Sequence, residues 1–451
     1  MVNKKNIGAD IIANAIVDAG IKIVYIYPGG TIAPLLDALV SRGVEYITAR
    51  TEQGAGFAAL GAAKISGKPQ VVLVTSGPGV TNLITPIADA YYDSVPVIAI
   101  SGQVSVSEIN FDHKIRQTGF QETDSTNIYK PITKEAITII SHDDLYNKIS
   151  DLIGISCDGR PGPVLIDLPM NIQREEFDGE PFNKIKISSN KIDCKDLVTN
   201  RIVNEEYVDK AFKMLCAAKR PLVLVGNGVH ISESSNLLLE LVENLELPVV
   251  CSLPGIGAFP TDNIFYYGFL GHTGEFYSNL ATFYADVILV LGARLDLRQT
   301  GTEIEHFIKN KKIIRVDIDS SELEYGRINA NLNIQGDINN FLTKLIKKIN
   351  INISPLKTIH WIDQIKDWKS KYKSDQFYIE KSISSYHILH AVNKYTKGKK
   401  VIVSSGVGTH QQLVARYFTF SYPHRIWMTS AGHGTMGYDV PAMIGAMLNN
   451  N

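Results

Sequence analysis

Up to about residue 170 the hydrophobic period of the chain switches repeatedly between that of a helix and that of a buried strand. Ile7, Ile11, Ile12, Ala15, Ile16 and Ala19 recur at helical spacing, Gly20 supplies a stop, and "IKIVYIY" follows as a β-branched run. A Pro-Gly-Gly turn, a helix through "APLLDALV", a strand near "EYITA", a helix from Glu52 to Ser66 ended by Gly67, and the strand "VVLVT" continue the series. Strands joined through helices run parallel, and a parallel sheet needs both of its faces covered. The pattern therefore predicts an α/β chain built of doubly wound parallel sheets.

With 451 residues the chain exceeds a single core, so two or three domains are expected. From about 176 to 200, "EFDGEPFNKIKISSNKIDCKDLVTN" loses apolar periodicity and gains charge, as a linker does. A second α/β set opens at "PLVLVGNG" and runs through "PVVCSL", "DVILVLGA" and "KIIRVDID". Another polar stretch, "INISPLKTIH" to "KDWKSKYKSDQ", precedes a third and shorter set opening at "KKVIVSSG". The expected division is a domain at 1–180, a linker at 181–200, a domain at 201–350, a linker at 351–378 and an incomplete third domain at 379–451.

A net charge of -1, with 45% hydrophobic and 20% charged residues, leaves no basic field to recruit nucleic acid or a membrane surface. The N-terminal "MVNKKNIGAD" has no apolar region behind its lysines, and no apolar run approaches the roughly 18 residues that span a bilayer. Cys157, Cys194, Cys216 and Cys251 form no CxxC pair, which argues against a zinc site and a disulfide framework. A cytoplasmic protein is expected.

Several positions can carry chemistry. Glu52, in "TEQGAGFAALGAAKISG", opens a helix just past a strand, at the mouth of a parallel sheet. It reads either as a carboxylate favouring the helix dipole or as a buried carboxyl sharing a proton with a ligand nitrogen. Ser76, Gly77 and Pro78 lie in a strand-to-helix turn before a helix expected to begin near Thr81, where backbone can approach a ligand. "VGNGVH" lacks the third glycine of a dinucleotide fingerprint and reads as a plain turn. Arg294 and Arg298, four apart after an apolar strand, read either as a clamp for phosphate or carboxylate or as a solvated basic loop.

In this order these pieces resemble the thiamine diphosphate enzymes of the acetolactate synthase (acetohydroxyacid synthase) family across essentially the whole chain. The densest match is "TEQGAGFAALGAAKISGKPQVVLVTSGPGVTNLITPIADAYYDSVPVIAISGQV"; others are "YPGG", "GFQETD", "GRPGPVLIDLP", "GARLDLRQTG", "VDID", Gly336-Asp337 and "SGVGTHQ". The resemblance implies a pyrimidine-binding domain, a central domain that often carries FAD, and a diphosphate-binding domain. It makes Glu52 the glutamate that hydrogen-bonds N1′ of the aminopyrimidine, so that N4′ can take the C2 proton of the thiazolium. It carries the substrate side to Phe120, Gln121 and Gly30, and cofactor contacts to Pro28, Gly29, Ser76, Gly77, Pro78, Asn82, Val407 and Gly408. In "SAGHGTMG" it makes the Gly434 carbonyl an acceptor from N4′ and Met436 a prop for the bent cofactor, beside a plain reading as a glycine-rich helix entry. Arg294, Arg298, Asp317 and Asp337 fall where the family contacts FAD or the acceptor. The implied reaction joins a 2-oxo acid such as pyruvate, after loss of CO2 to an enamine, to a second carbonyl. A homodimer or homotetramer with its active site at the subunit interface is also implied.

Three departures cluster at the implied acceptor pocket. The family's "PKD" reads Pro169-Met170-Asn171, "GMHG" reads Gly271-His272-Thr273-Gly274, and "RFDDR" reads Arg294-Leu295-Asp296-Leu297-Arg298. They point to an acceptor other than pyruvate. The family's Gly-Asp-Gly metal motif has no counterpart after Gly437, so no metal ligand is assigned and those for Mg2+ are expected beyond Asn451. A fragment of an active enzyme, a shortened non-catalytic relative binding FAD or a partner, and a decarboxylase or acyltransferase on the same cofactor all stay open.

Overall fold

Residues 7–176, 202–352, 358–372 and 383–449 are described by a computed structural model. They fall into two compact units, one of residues up to 176 together with those from Ser430, the other of residues from 202 to Thr429. The stretch expected as one domain from 379 to 451 is thus divided between them, while the 181–200 linker lies outside the described residues.

In the first unit, β1 (Ile23–Ile26), β2 (Glu45–Thr48), β3 (Gln70–Val74), β4 (Val97–Gln103), β5 (Glu135–Thr138) and β6 (Val164–Pro169) form one sheet in the order β2-β1-β3-β4-β6-β5. Every pair in it is parallel, as strand–helix alternation requires. Alternate side chains cover opposite faces: Val24, Ile26, Val71, Leu73, Ile98 and Ile100 join one core, and Tyr25, Val72 and Ala99 are buried on the other. α1 (Gly8–Asp18) and α2 (Ala33–Val40) lie on the first face, and α3 (Glu52–Ser66) adjoins β1 and β3. The bounds of α2 and α3 coincide with those read from the sequence, and Gly67 closes α3 at φ 65°, the left-handed conformation that a glycine adopts without cost. One helix differs. The segment expected to start near Thr81 is two helices, α4 (Pro78–Asn82) and α5 (Ile84–Tyr92), because Pro78 is suited to a first turn that Gly77, at φ 62°, lets begin early.

The second unit repeats the principle with β7 (Pro221–Val225), β8 (Val249–Cys251), β9 (Tyr266–Phe269), β10 (Val287–Leu291), β11 (Lys312–Asp317) and β12 (Leu332–Gln335) in the order β12-β11-β10-β7-β8-β9. Val223, Val225, Leu289 and Leu291 enter one core, and Leu222, Leu224, Ile288 and Val290 the other. Within the stretch read as a linker at 351–378, residues Ile359–Lys371 form a helix that buries Trp361, Ile362 and Ile365 in the second core. Its lysines and aspartates gave a polar composition, but the apolar residues recur at helical spacing. A parallel pair, β13 (Val401–Ser405) and β14 (Arg425–Thr429), forms the small third sheet. Against the expectation of no disulfide framework, Cys157 is disulfide-bonded, because spacing along the chain does not reveal which cysteines a fold brings together; Cys216 and Cys251 are free. No described helix is long and apolar enough to cross a membrane.

Candidate active site

In the first sheet β1 sits between β2 and β3, so the chain leaves β1 toward one side and returns on the other. At such a switch point the loops beyond the carboxyl ends diverge and leave a crevice. Those two loops carry Pro28, Gly29 and Gly30 after β1, and Ser76, Gly77 and Pro78 after β3. Thr31 ties them, its hydroxyl 2.9 Å from that of Thr75 while accepting from the Ser76 amide at 3.0 Å. A side chain at Gly29 would begin 2.3 Å from Thr75 Cβ, whereas at Gly30 nothing lies within 4 Å. Gly29 therefore serves loop packing, and Gly30 is the position with room beside it.

Glu52 is the first residue of α3, after a Thr51 cap that accepts from the Gly54 amide at 3.0 Å. Its carboxylate is buried and accepts from Asn82 Nδ2 at 3.1 Å, which links the opening of α3 to the end of α4 across the crevice. The small residues that follow are spent on helix contacts: a Cβ at Gly56 would meet Pro86 Cγ at 2.5 Å, and one at Gly61 would meet the Ala442 carbonyl at 2.0 Å.

Gln121 adopts φ 65°, a conformation uncommon for a residue with a side chain, and its backbone oxygen lies 3.0 Å from where a Gly77 Cβ would stand. The 119–124 loop is thereby brought against the loop after β3. It is held from beneath by Gln103, which donates to the Thr123 carbonyl at 2.8 Å and to Asp167 at 3.0 Å. Asp167, fully buried in β6, also accepts from Ser101 at 2.7 Å and Thr138 at 3.2 Å. Burial pushes the Asp167 carboxyl up to about 6, against the lowering effect of those donors. Phe120, beside Gln121, is 86% exposed.

Gly434 and Met436 belong to the same unit, on a turn before the helix Asp439–Leu448 that packs on α3. Gly434 stands at φ 72° with nothing within 4 Å of its Cβ position, and Met436 is 78% exposed. Val407 and Gly408 belong to the other unit, directly before the helix Thr409–Tyr417.

The second sheet has its own switch point between β7 and β10. There Gly226 and Gly228 fit the backbone of Gly292, where any Cβ would begin within 2.7 Å, so these glycines let two loops approach each other. Arg294 and Arg298 flank one turn, and the Arg294 guanidinium is ion-paired within it. Asp296 stands between them, holding Arg294 at 3.3 Å through one oxygen and capping the helix Leu297–Thr300 through the other, with the Arg298 amide at 2.9 Å. Asp317, at the end of β11, accepts from the Asp319 amide at 3.0 Å, and Asp337 accepts from the Asn340 amide at 3.0 Å. Among the described residues no group of three or more His, Cys, Asp or Glu could hold a metal ion.

Asp167, Gln103, Lys64 and Asp93 escaped the sequence reading. The signal for Asp93 was available: Asp89 and Asp93 are four apart in the otherwise apolar "IADAYYDSVPV", where two carboxylates on one buried face demand a cation.

Comparison with known proteins agrees with this geometry. Residues 7–128 match the description "Thiamine pyrophosphate enzyme, N-terminal TPP binding domain", 208–345 its central domain and 406–451 its C-terminal TPP binding domain. The chain is 34% identical over 446 residues to acetolactate synthase isozyme 3 large subunit of Escherichia coli K12, covering 98% of this chain and 75% of that protein. It is 37% identical over 444 residues, with the same coverages, to the acetolactate synthase large subunit of Buchnera aphidicola subsp. Schizaphis graminum. A probable acetolactate synthase large subunit of Methanocaldococcus jannaschii is 36% identical over 445 residues, 97% of this chain and 73% of that protein. Two switch-point sheets, a buried glutamate at the crevice of the first and this similarity along the chain lead to one conclusion: the chain belongs to the thiamine diphosphate enzymes of the acetolactate synthase large-subunit family.

Proposed function

We propose that this chain is a thiamine diphosphate-dependent decarboxylating carboligase that takes a 2-oxo acid, pyruvate, and joins its decarboxylated fragment to a second carbonyl compound larger than pyruvate. The observation that carries the reading is the buried Glu52 carboxylate at the crevice of a parallel sheet. Thiamine diphosphate, when bound, supplies a thiazolium that accepts the electrons freed as CO2 leaves. Glu52 would hold a proton at the N1′ nitrogen, which a carboxyl in a dry pocket does best because little water competes for it. Pro28, Gly29, Ser76, Gly77, Pro78 and Asn82 line the same crevice loops, and the open space at Gly30 leaves room for a reacting carbonyl. Gln121, with Phe120 beside it, would orient the 2-oxo acid, and Met436 would prop the bent cofactor. Gly434 would accept from the aminopyrimidine, with Val407 and Gly408 on the diphosphate side.

FAD belongs to the proposal as a structural group at the second switch point, near Arg294, Arg298, Asp317 and Asp337, since the reaction has no net redox change. Mg2+ belongs to it as the counter-charge of the diphosphate. The same reading places the protein in the cytoplasm as a homodimer or homotetramer with a shared active site.

The acceptor is argued from the departures. Met170 opens the helix Met170–Arg174 where the family has a lysine, and Asn171 is spent on the Val106 amide at 3.0 Å and on Glu175 at 3.1 Å. Leu297, half exposed, adds apolar surface near Arg294, while Leu295, at φ 55°, is spent in the core. The lost lysine charge at Met170 and the lost second acidic residue at Leu297 each suit a larger, less polar aldehyde or ketone. Incubation with pyruvate, thiamine diphosphate and Mg2+, with and without a panel of aldehydes and ketones, tests it by product analysis. A mixed ligation product is expected; acetolactate alone overturns the acceptor, free aldehyde alone makes the chain a decarboxylase, and no release of CO2 overturns the catalytic reading.

A further inference from the structure

The turn that bears Gly434 and Met436 is pinned from an unexpected direction. Asp93, at the end of α5, accepts from the Gly432 amide at 2.7 Å through Oδ1 and from the Ala431 amide at 3.2 Å through Oδ2. The same Oδ2 lies 2.7 Å from Lys64 Nζ, and the two side chains are only 17% and 6% exposed. Burial by itself would drive the Lys64 proton off, but Asp93, and behind it the Tyr438 phenol and Asp89, outweigh it and hold the lysine charged. The ammonium also lies 5.1 Å from the centre of the Tyr438 ring, whose edge meets Phe57 of α3 at 5.7 Å. His433 stacks on Tyr92, the residue before Asp93, at 5.5 Å with planes 14° apart, and the Thr435 amide donates to Ser430 at 2.8 Å.

Residues 431, 432, 433, 435 and 438 are therefore held, while Gly434 has open space and Met436 is exposed. Both shoulders of the turn are fixed and its tip is presented. The anchor comes from α3, which carries Glu52 in its first turn and Lys64 about 18 Å further along its axis. One helix thus sets the carboxyl at the crevice and, through Asp93, the turn.

We propose that Lys64 and Asp93 form a positioning pair that fixes the Gly434–Met436 turn in its cofactor-receiving conformation before the cofactor arrives. This rests on the reading of Gly434 and Met436 as thiamine diphosphate contacts. Asp93 supplies two oriented acceptors to consecutive amides, and Lys64, 2.7 Å from Oδ2, supplies the counter-charge that keeps the carboxylate aimed. An isolated buried carboxylate would be costly, and a neutral amide in its place accepts through one oxygen instead of two.

The test compares Asp93→Asn, Lys64→Met and Lys64→Arg with Ile16→Val, a core change remote from the turn that controls for lost stability. Hydrogen exchange of the Ala431 and Gly432 amides is followed in each, with binding of thiamine diphosphate and turnover of pyruvate. Asp93→Asn and Lys64→Met are expected to speed exchange at both amides about tenfold or more and to weaken cofactor half-saturation about tenfold, with turnover lower by about 10- to 100-fold. Lys64→Arg should recover most of the loss, and Ile16→Val should leave exchange at these amides and the cofactor affinity unchanged. If the Asp93 and Lys64 variants bind cofactor and turn over like the Ile16 control, the pair has no positioning role. If exchange at the two amides is unchanged, Asp93 does not hold the turn. Failure of the unaltered protein to bind thiamine diphosphate overturns the cofactor reading itself, and with it the purpose assigned to the pair, whatever the exchange shows.

Discussion

Glu52 joins two demands that a surface carboxylate never meets: it is buried, and its described side-chain partner is a neutral amide, Asn82, instead of a cation. Exchange to Gln keeps the size and removes the transferable proton. Glu52→Gln should lower turnover by about 10²- to 10⁴-fold while leaving thiamine diphosphate bound, as isothermal titration beside a CO2-release assay will show. Asp167 makes a different prediction. Its carboxyl titrates near 6 in the folded chain against an ordinary 3.8, so the folded state holds this proton more tightly than the unfolded chain does. The stability it contributes is full below the ordinary value and is lost as pH rises through the folded one, by about 3 kcal/mol in all. Urea midpoints measured from about pH 4 to 7 should show that fall, and Asp167→Asn should flatten it. Gln103 would lose its carboxylate anchor in that variant, so the substrate-side loop should loosen with it.

At the scale of elements, α3 was legible to the residue. Thr51, Gly54 and Gly67 spell a cap, a small first turn and a left-handed stop, and each works within a few residues of itself. The reason for its glycines and alanines was not legible, because the partner lies hundreds of residues away. A Cβ on Gly445 would begin 1.8 Å from the Ala58 carbonyl, as one on Gly61 would begin 2.0 Å from that of Ala442. Backbone cannot yield as a flexible side chain can. Gly61→Val or Gly445→Val should therefore force α3 and the helix Asp439–Leu448 apart, costing on the order of 3 kcal/mol. Thermal unfolding, with limited proteolysis after Thr429, reads this out. The split of one expected helix into α4 and α5 has a local cause, the left-handed Gly77 before Pro78, yet nothing near it in sequence says that Gln121 fills the space a side chain there would need.

For the molecule as a whole, the proposed shared active site makes assembly a direct test. Sedimentation of the intact protein should give a dimer or tetramer, and a monomer at micromolar concentration that still turns over would remove the interface from the proposal. Alternation of strand and helix, caps, turns and the small residues of α3 are written in short stretches, since each depends on hydrogen bonds or periodicity within a few residues. So the α/β class, the parallel sheets and the positions of Glu52 and the crevice loops follow from the sequence by itself. Tertiary structure alone decided that the glycine-rich turn would be clasped by Asp93 and that a polar-looking stretch would bury Trp361. The Asp93 clasp and the Trp361 burial depend on which distant groups share a dry space, and burial of that kind exists only once the chain has packed.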